Sequence, residues 1–153
     1  MIHQSCACSC GHSTFAVKGT PLLRFICHCE ICQAIYKQPF ADVTVFFAND
    51  ISLPEEHSIQ FKKYRSSPAL RRGLCSKCQA PVVGFLDTVQ FVKLVFVPTQ
   101  NFPVIDSLPP VRAHTFYHRR LQSIHDSVPK ISGFLSSQLF VTKELFISLF
   151  HSK

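Results

Sequence analysis

Seven of the eight cysteines in this 153-residue chain fall into close-set groups: Cys8-Ser9-Cys10, Cys27-His28-Cys29-Glu30-Ile31-Cys32 and Cys75-Ser76-Lys77-Cys78. Thiolates two or three residues apart on a tight turn reach one soft ion without strain, and zinc takes four such ligands at the corners of a tetrahedron. Cys8 and Cys10 lack two partners and Cys75 and Cys78 supply two, so the pairs read as a closed four-thiolate structural site clamping the chain's start to its middle. Cys27, Cys29 and Cys32 remain as three thiolates, the arrangement of a catalytic ion with one position open to water or substrate. The expected cofactor is Zn2+, with two ions per chain held by these two groups. Two alternatives stay open. The three-cysteine site closes instead through the leftover Cys6 or through His28, although a side chain between two ligands points more naturally away from the ion. Cys75 and Cys78 could also form a redox dithiol, without the βαβ context such a motif normally has.

The elements that must carry these groups read as strands. Short β-favouring runs at Thr14–Lys18, Leu22–Ile26, Asp42–Ala48, Ile59–Tyr64, Val82–Leu86, Gln90–Val97 and Ala113–Tyr117 are separated by turn-forming residues, which predicts a mainly β, mainly antiparallel single domain with a few short helices. Helix is expected just after Cys29, around Arg119–His125 and at the C-terminus. In the tail, Leu139, Phe146, Leu149 and Phe150 recur near one helical face with Leu145 beside them, a stripe expected to dock on the chain's own core. The Pro-rich stretch Pro98–Pro110 reads as an ordered connector anchored by Phe102, Val104, Ile105 and Leu108.

A composition 46% hydrophobic with 15 Phe and only 16% charged residues argues against disorder. The first residues show neither the basic stretch nor the apolar run of a secretory signal, and no apolar run is long enough to span a bilayer, so a cytoplasmic location without membrane partners is expected. In that compartment thiols stay reduced and eight cysteines serve metal rather than disulfides. The net charge of +7 favours anionic ligands without choosing among them; its densest group is Lys62, Lys63, Arg65, Arg71 and Arg72, with Arg119 and Arg120 forming a second.

The order and gaps of Cys8-Ser9-Cys10-Gly11, Cys27-His28-Cys29-Glu30-Ile31-Cys32 and Cys75-Ser76-Lys77-Cys78 resemble the glutathione-dependent formaldehyde-activating enzyme family, also called the centromere-protein-V-like family. Leu86-Asp87 and the stretch from His114 to Asp126-Ser127-Val128-Pro129 carry the likeness across about residues 5–135. The resemblance implies a zinc-stapled fold of the β-tent type over 1–135, and the remaining 136–153 is read as a helical extension packed on the same domain. By the same resemblance Cys8, Cys10, Cys75 and Cys78 hold the structural zinc, and Cys27, Cys29 and Cys32 the catalytic one. The implied activity is condensation of formaldehyde with glutathione to S-hydroxymethylglutathione, a carbon–sulfur lyase in the reverse direction. The sequence departs from the family pattern at Gln33, where a basic residue is common, in Ala34–Gln38, which lacks a usual glycine, at Gln79, again in place of glycine, and at Leu121-Gln122, where an aromatic is frequent.

In such a site the metal would make a thiolate available at neutral pH, and Arg24, Lys37, Arg71 or Arg72 are the candidates to meet the carboxylates of a glutathione-like thiol. Two readings compete with a lyase acting on a thiol and an aldehyde. One is a non-catalytic zinc-stapled module binding nucleic acid or a protein, which the charge favours but the lack of a single-strand stacking platform or zinc-finger spacing disfavours. The other is a zinc-dependent chaperone or exchange factor, which leaves the three-cysteine group without a purpose.

Overall fold

The computed structural model describes residues 1–53, 57–66, 70–87 and 92–151. The chain is mainly β. β1 (Ile2–Ala7) and β2 (Thr14–Gly19) form an antiparallel hairpin, and β5 (Ile51–Ser52) pairs with β2 to complete a three-stranded sheet. The second sheet has seven strands in the order β10 (His114–Thr115), β3 (Leu23–Cys27), β4 (Ala41–Phe47), β9 (Leu94–Pro98), β8 (Pro81–Leu86), β7 (Arg71–Cys75) and β6 (Ile59–Lys63). All its pairings are antiparallel except β10 against β3.

β4 lies well inside the large sheet, and its run Ala-Asp-Val-Thr-Val-Phe-Phe suits a strand covered on both faces. Phe46 belongs to the core shared with Phe15 and Val17 of the small sheet, together with Val82, Val95 and Phe102. Val43 and Val45 belong to a second core with Leu23, Phe25, Leu94, Cys27 and Cys32. The two cysteine groups divide between these cores: Cys8 and Cys75 lie in the first, Cys27 and Cys32 in the second.

The expected strands are present with ends shifted by a residue or a few; Gln90 and Phe91 of the run Gln90–Val97 lie outside the described residues. Three strands went unread: β1, β5 and β7. β7 carries Arg71, Arg72 and Gly73, a poor apolar alternation, yet Gly73 is required there because a Cβ would lie 2.6 Å from Ile59 and 2.7 Å from Phe61 on neighbouring β6.

α1 (Glu30–Tyr36) follows Cys29 as expected, and α2 (Phe134–His151) occupies the tail. The helix expected at Arg119–His125 is absent: a single 3-10 turn, Tyr117–Arg119, is followed by irregular chain. There the Tyr117 hydroxyl accepts the Ile124 N–H at 2.9 Å, replacing a helical partner. The face of α2 also differs from expectation. Leu145 is buried, but Leu139, Phe146 and Phe150 are exposed. The docked side instead uses Ser137, which donates no side-chain surface to solvent, Val141, Leu145 and Ser148. Ser137 Oγ accepts the Phe116 N–H at 2.8 Å, Ser148 Oγ donates to the Leu22 carbonyl at 2.7 Å, and Arg112 holds Glu144 at 2.9 Å. In the connector, Phe102 and Leu108 are buried as expected, whereas Val104 and Ile105 are exposed and the chain is tied down by Gln4, which pairs with the Val104 backbone.

Candidate metal centres

Cys8 follows β1 in a tight turn, with Gly11 N–H bonded to the Cys8 carbonyl at 2.9 Å and Gly11 at φ +74. Cys75 ends β7, and the next turn brings Gln79 N–H back to the Cys75 carbonyl at 2.9 Å. These two turns face each other. The sulfurs of Cys8, Cys10, Cys75 and Cys78 all lie within 4.8 Å of one another, with Cys8–Cys10 at 3.5 Å and Cys10–Cys75 at 3.8 Å. Sulfurs about 2.3 Å from a tetrahedral ion stand about 3.8 Å apart, whereas a disulfide needs about 2.05 Å. The four thiols therefore fit a metal ion and are not bridged to one another. Ser13 N–H donates to Cys8 Sγ at 3.3 Å, and the Ser9 hydroxyl lies 3.8 Å from Cys78 Sγ, contacts of the kind that orient ligands from outside the coordination shell.

Gln79 sits at φ 61, the left-handed region that glycine enters most readily. Lys37, which caps α1, sits at φ 52 in the same region. These are the two places where the sequence lacks glycines common in the family it resembles, and the turns keep their shape without them.

The second group is built by the end of β3 and the start of α1. Cys27 is the last residue of β3, Cys29 caps α1, and Cys32 lies one turn inside it, its N–H donating to Cys29 Sγ at 3.4 Å. The sulfurs of Cys27, Cys29 and Cys32 lie within 4.8 Å of one another, so three thiols converge with no fourth cysteine, histidine or carboxylate among the described residues. Cys29 is the thiol driven toward its anion, because its sulfur takes hydrogen bonds from Cys27 and Cys32, with the Cys32 N–H and the Arg72 charge adding to them. The Cys27 thiol is pushed up by its bond to Cys29, by Cys32 and by burial. Cys32 is raised to about 11: its contact with Cys27 pulls it down, but the contact with Cys29 and burial outweigh that.

Neither proposed closure by another residue is present. Cys6 is 1% exposed in the core beneath the small sheet, its thiol raised to about 12 by burial, and it joins neither group. His28 turns away from the sulfurs. Its Nε2 lies 3.0 Å from His114 Nδ1, and His114 Nε2 lies 2.8 Å from Asp126 Oδ2. A carboxylate only accepts, so His114 Nε2–H donates to Asp126 and His28 Nε2–H donates to His114. Burial, with His114 and Arg120 beside it, drives the His28 pKa down to about 4, consistent with that neutral donor. Lys130 and His114 in turn hold the Asp126 carboxyl down at about 2. This chain, buried at its two histidines and exposed at Asp126, fixes the loop between Cys27 and Cys29 against the stretch 114–131, whose backbone pairs through His114 N–H to Pro129 and Ile131 N–H to His114. Gln33 adds a second tie, donating to the His28 and Arg119 carbonyls at 2.8 and 2.9 Å.

Of the four basic candidates, the structure brings Arg72 to the site. Its Nη2 lies 3.7 Å from Cys32 Sγ. Burial works against its charge, but Cys32, Tyr36, Cys29 and Cys27 more than offset this, and the guanidinium stays charged. Arg24 is held by Asp42 at 2.8 Å, Arg71 reaches Asp87 at 3.3 Å over the rings of Phe61 and Phe85, and Lys37 lies on the far end of α1. Composition gave no signal separating Arg72 from Arg71; alternation along β7 does, once β7 is known to be a strand.

A cavity of about 820 Å³ opens over Cys27, Cys29 and Cys32, and none of Cys8, Cys10, Cys75 or Cys78 reaches it. Arg65, Arg72, Arg119 and Tyr36 supply polar groups to its wall. Phe116, another lining residue, sits at φ 53, a conformation uncommon for a bulky side chain, with its N–H held by Ser137.

The family model described as glutathione-dependent formaldehyde-activating enzyme matches residues 3–119, which include every cysteine of both groups. The stretch from Asp126 to Pro129 and the whole of α2 lie beyond that match. No curated protein matches the chain.

Proposed function

The chain belongs to the glutathione-dependent formaldehyde-activating enzyme family, and from that membership we propose that it is a zinc-dependent enzyme joining and splitting a carbon–sulfur bond between a glutathione-like thiol and an aldehyde. The observation that carries this reading is the contrast between the two thiol groups: four sulfurs converge away from the cavity, while three sulfurs face it. Cys8, Cys10, Cys75 and Cys78 are assigned to a structural zinc. Cys27, Cys29 and Cys32 are assigned to a catalytic one. Bound there, zinc would supply a Lewis acid able to lower the pKa of a thiol and to polarise an aldehyde oxygen.

The chain's own residues do the rest. Arg72, with Arg65 on the same cavity wall, offers guanidinium groups to the carboxylates of the thiol substrate, whereas Arg119 on that wall is already paired with Glu30 at 3.2 Å; a planar guanidinium pairs a carboxylate through two parallel hydrogen bonds. The apolar wall excludes water from the addition. Tyr36 lines the same cavity, and burial together with the nearby Cys32 pushes its phenol well above the usual range, so it stays protonated as a hydrogen-bond donor. In the forward direction the sulfur adds to the carbonyl carbon, the C–S bond forms as the C=O double bond opens, and the thiol proton ends on the oxygen. The reverse breaks the C–S bond and returns the proton to sulfur. Holding both partners in one cavity removes much of the entropic cost of their encounter.

The test is exchange spectroscopy with carbon-13 formaldehyde and glutathione over zinc-loaded protein. Interconversion of hydrated formaldehyde and S-hydroxymethylglutathione is expected to be accelerated over buffer, and the acceleration lost in Cys27→Ala/Cys29→Ala/Cys32→Ala. Equal exchange with and without the wild-type protein contradicts the reading.

A further inference from the structure

The cavity over the three-thiol group is larger and more apolar than a one-carbon aldehyde requires. Its 820 Å³ stands near the top of the roughly 300–1,000 Å³ typical for sites that take drug-sized ligands. Beside the sulfurs stands Arg72, 3.7 Å from Cys32, whereas the Arg65 guanidinium lies 5.6 Å from the centre of the Phe134 ring on α2. Much of the remaining wall is hydrocarbon, with Gln138 and Thr142 of α2 as polar exceptions: Phe25, Val43 and Phe96 of the large sheet face the cavity, and Val141 and Leu145 of α2 line it too. Glutathione is a charged peptide and has no group that gains from such a wall.

α2 is the source of much of this surface. It lies wholly beyond residues 3–119, yet Phe134, Gln138, Val141, Thr142 and Leu145 all line the cavity. The helix is anchored for the purpose at both ends, by Ser137 on the strained Phe116 and by Ser148 on Leu22. Phe134 packs edge-on to Phe116 with ring centres 5.8 Å apart, joining the helix to the cavity rim.

We propose that α2 makes this site specific for aldehydes carrying an extended apolar group, so that the preferred adduct is a glutathione-like thiol whose sulfur bears a 1-hydroxyalkyl group with a hydrocarbon chain or ring, rather than the bare hydroxymethyl group. The inference rests on the carbon–sulfur reading above and names its substrate class. The bonds made and broken are the same: sulfur to carbonyl carbon, with the thiol proton moving to oxygen, and no further reactant is needed. The added chain lies on the α2 wall and gains from leaving water in proportion to the apolar area it buries.

The test is calorimetric binding of S-methylglutathione and S-hexylglutathione, inert thioethers, to zinc-loaded full-length protein. S-hexylglutathione is expected to bind at least tenfold more tightly. Val141→Asn should cut that preference to threefold or less while leaving S-methylglutathione affinity in place. Phe134 is 51% exposed, so Phe134→Ser repeats the test without burdening the fold, should Val141→Asn fail to fold. Equal binding of the two thioethers overturns the inference and leaves the thiol–aldehyde reading standing. A preference that survives both substitutions also overturns it, because α2 is then not its source. Binding of neither thioether removes the glutathione-like substrate itself, and the inference with it.

Discussion

A guanidinium set among three thiols is held there by charge, not by a paired carboxylate. Arg72 makes its hydrogen bond to Cys32 Sγ, and the neighbouring thiols keep it protonated despite burial. Losing that positive charge removes one charge-assisted hydrogen bond to a bound carboxylate, worth about 1.5–3 kcal/mol, which is roughly 10–150-fold in affinity. Arg72→Met is therefore expected to raise the dissociation constant of S-methylglutathione at least tenfold by calorimetry, with zinc content unchanged. The histidine chain carries a different role. His114 is fully buried and accepts the only hydrogen bond that His28 Nε2 makes, while His28 Nδ1 has no partner among the described residues. His114→Ala strands a second buried polar atom on His28, which costs roughly 1–3 kcal/mol, and a lower urea midpoint of the zinc-loaded protein checks it. An unchanged midpoint shows that the Cys27–Cys29 loop does not depend on this chain.

Turns and helices set how these residues meet. The Cys75–Cys78 turn closes through Gln79 in a left-handed conformation, where a side chain is strained by roughly 1–2 kcal/mol and glycine's extra unfolded freedom returns only part of that. Gln79→Gly is thus expected to stabilise the protein by about 0.5–1 kcal/mol in denaturant melts, with no change in metal content. The cysteine groups were legible before the fold because ligands to one ion cluster locally in sequence, and their chemistry admits few other uses. β1 and β7 were not, because Gln4, Ser5, Arg71 and Arg72 interrupt apolar alternation, and pairing partners far along the chain make them strands. The face of α2 misled for a related reason. Periodicity selects apolar residues, but Ser137 and Ser148 dock by hydrogen bonds to backbone groups, leaving Leu139, Phe146 and Phe150 outward. Arg72 and the His28–His114 link depend on contacts 40 and 86 residues apart, which no local pattern encodes.

Across the whole molecule the two thiol groups have unequal structural duties. The four-thiol group joins the turn after β1 to the turn after β7 and so brings the small sheet to the large one; the three-thiol group draws its sulfurs from one continuous stretch, 27–32. A closed zinc site contributes on the order of 10–16 kcal/mol of apparent binding energy to the folded state, as large as the roughly 5–15 kcal/mol net stability of an ordinary domain. Cys75→Ala should therefore unfold or aggregate, while Cys29→Ala stays folded with less metal, as read by circular dichroism and melting; equal damage in the two variants contradicts the division. No helix among the described residues is long and apolar enough to cross a membrane. The most direct test of the central claim is zinc per chain in wild type and in Cys27→Ala/Cys29→Ala/Cys32→Ala protein, with the metal-edge spectrum reporting each ion's ligands. The account predicts two ions falling to one, the lost ion having three sulfurs and a non-protein fourth ligand. One ion in both proteins, or two ions each fully ligated by protein, contradicts an open reactive site and turns the chain into a zinc-stapled binding module.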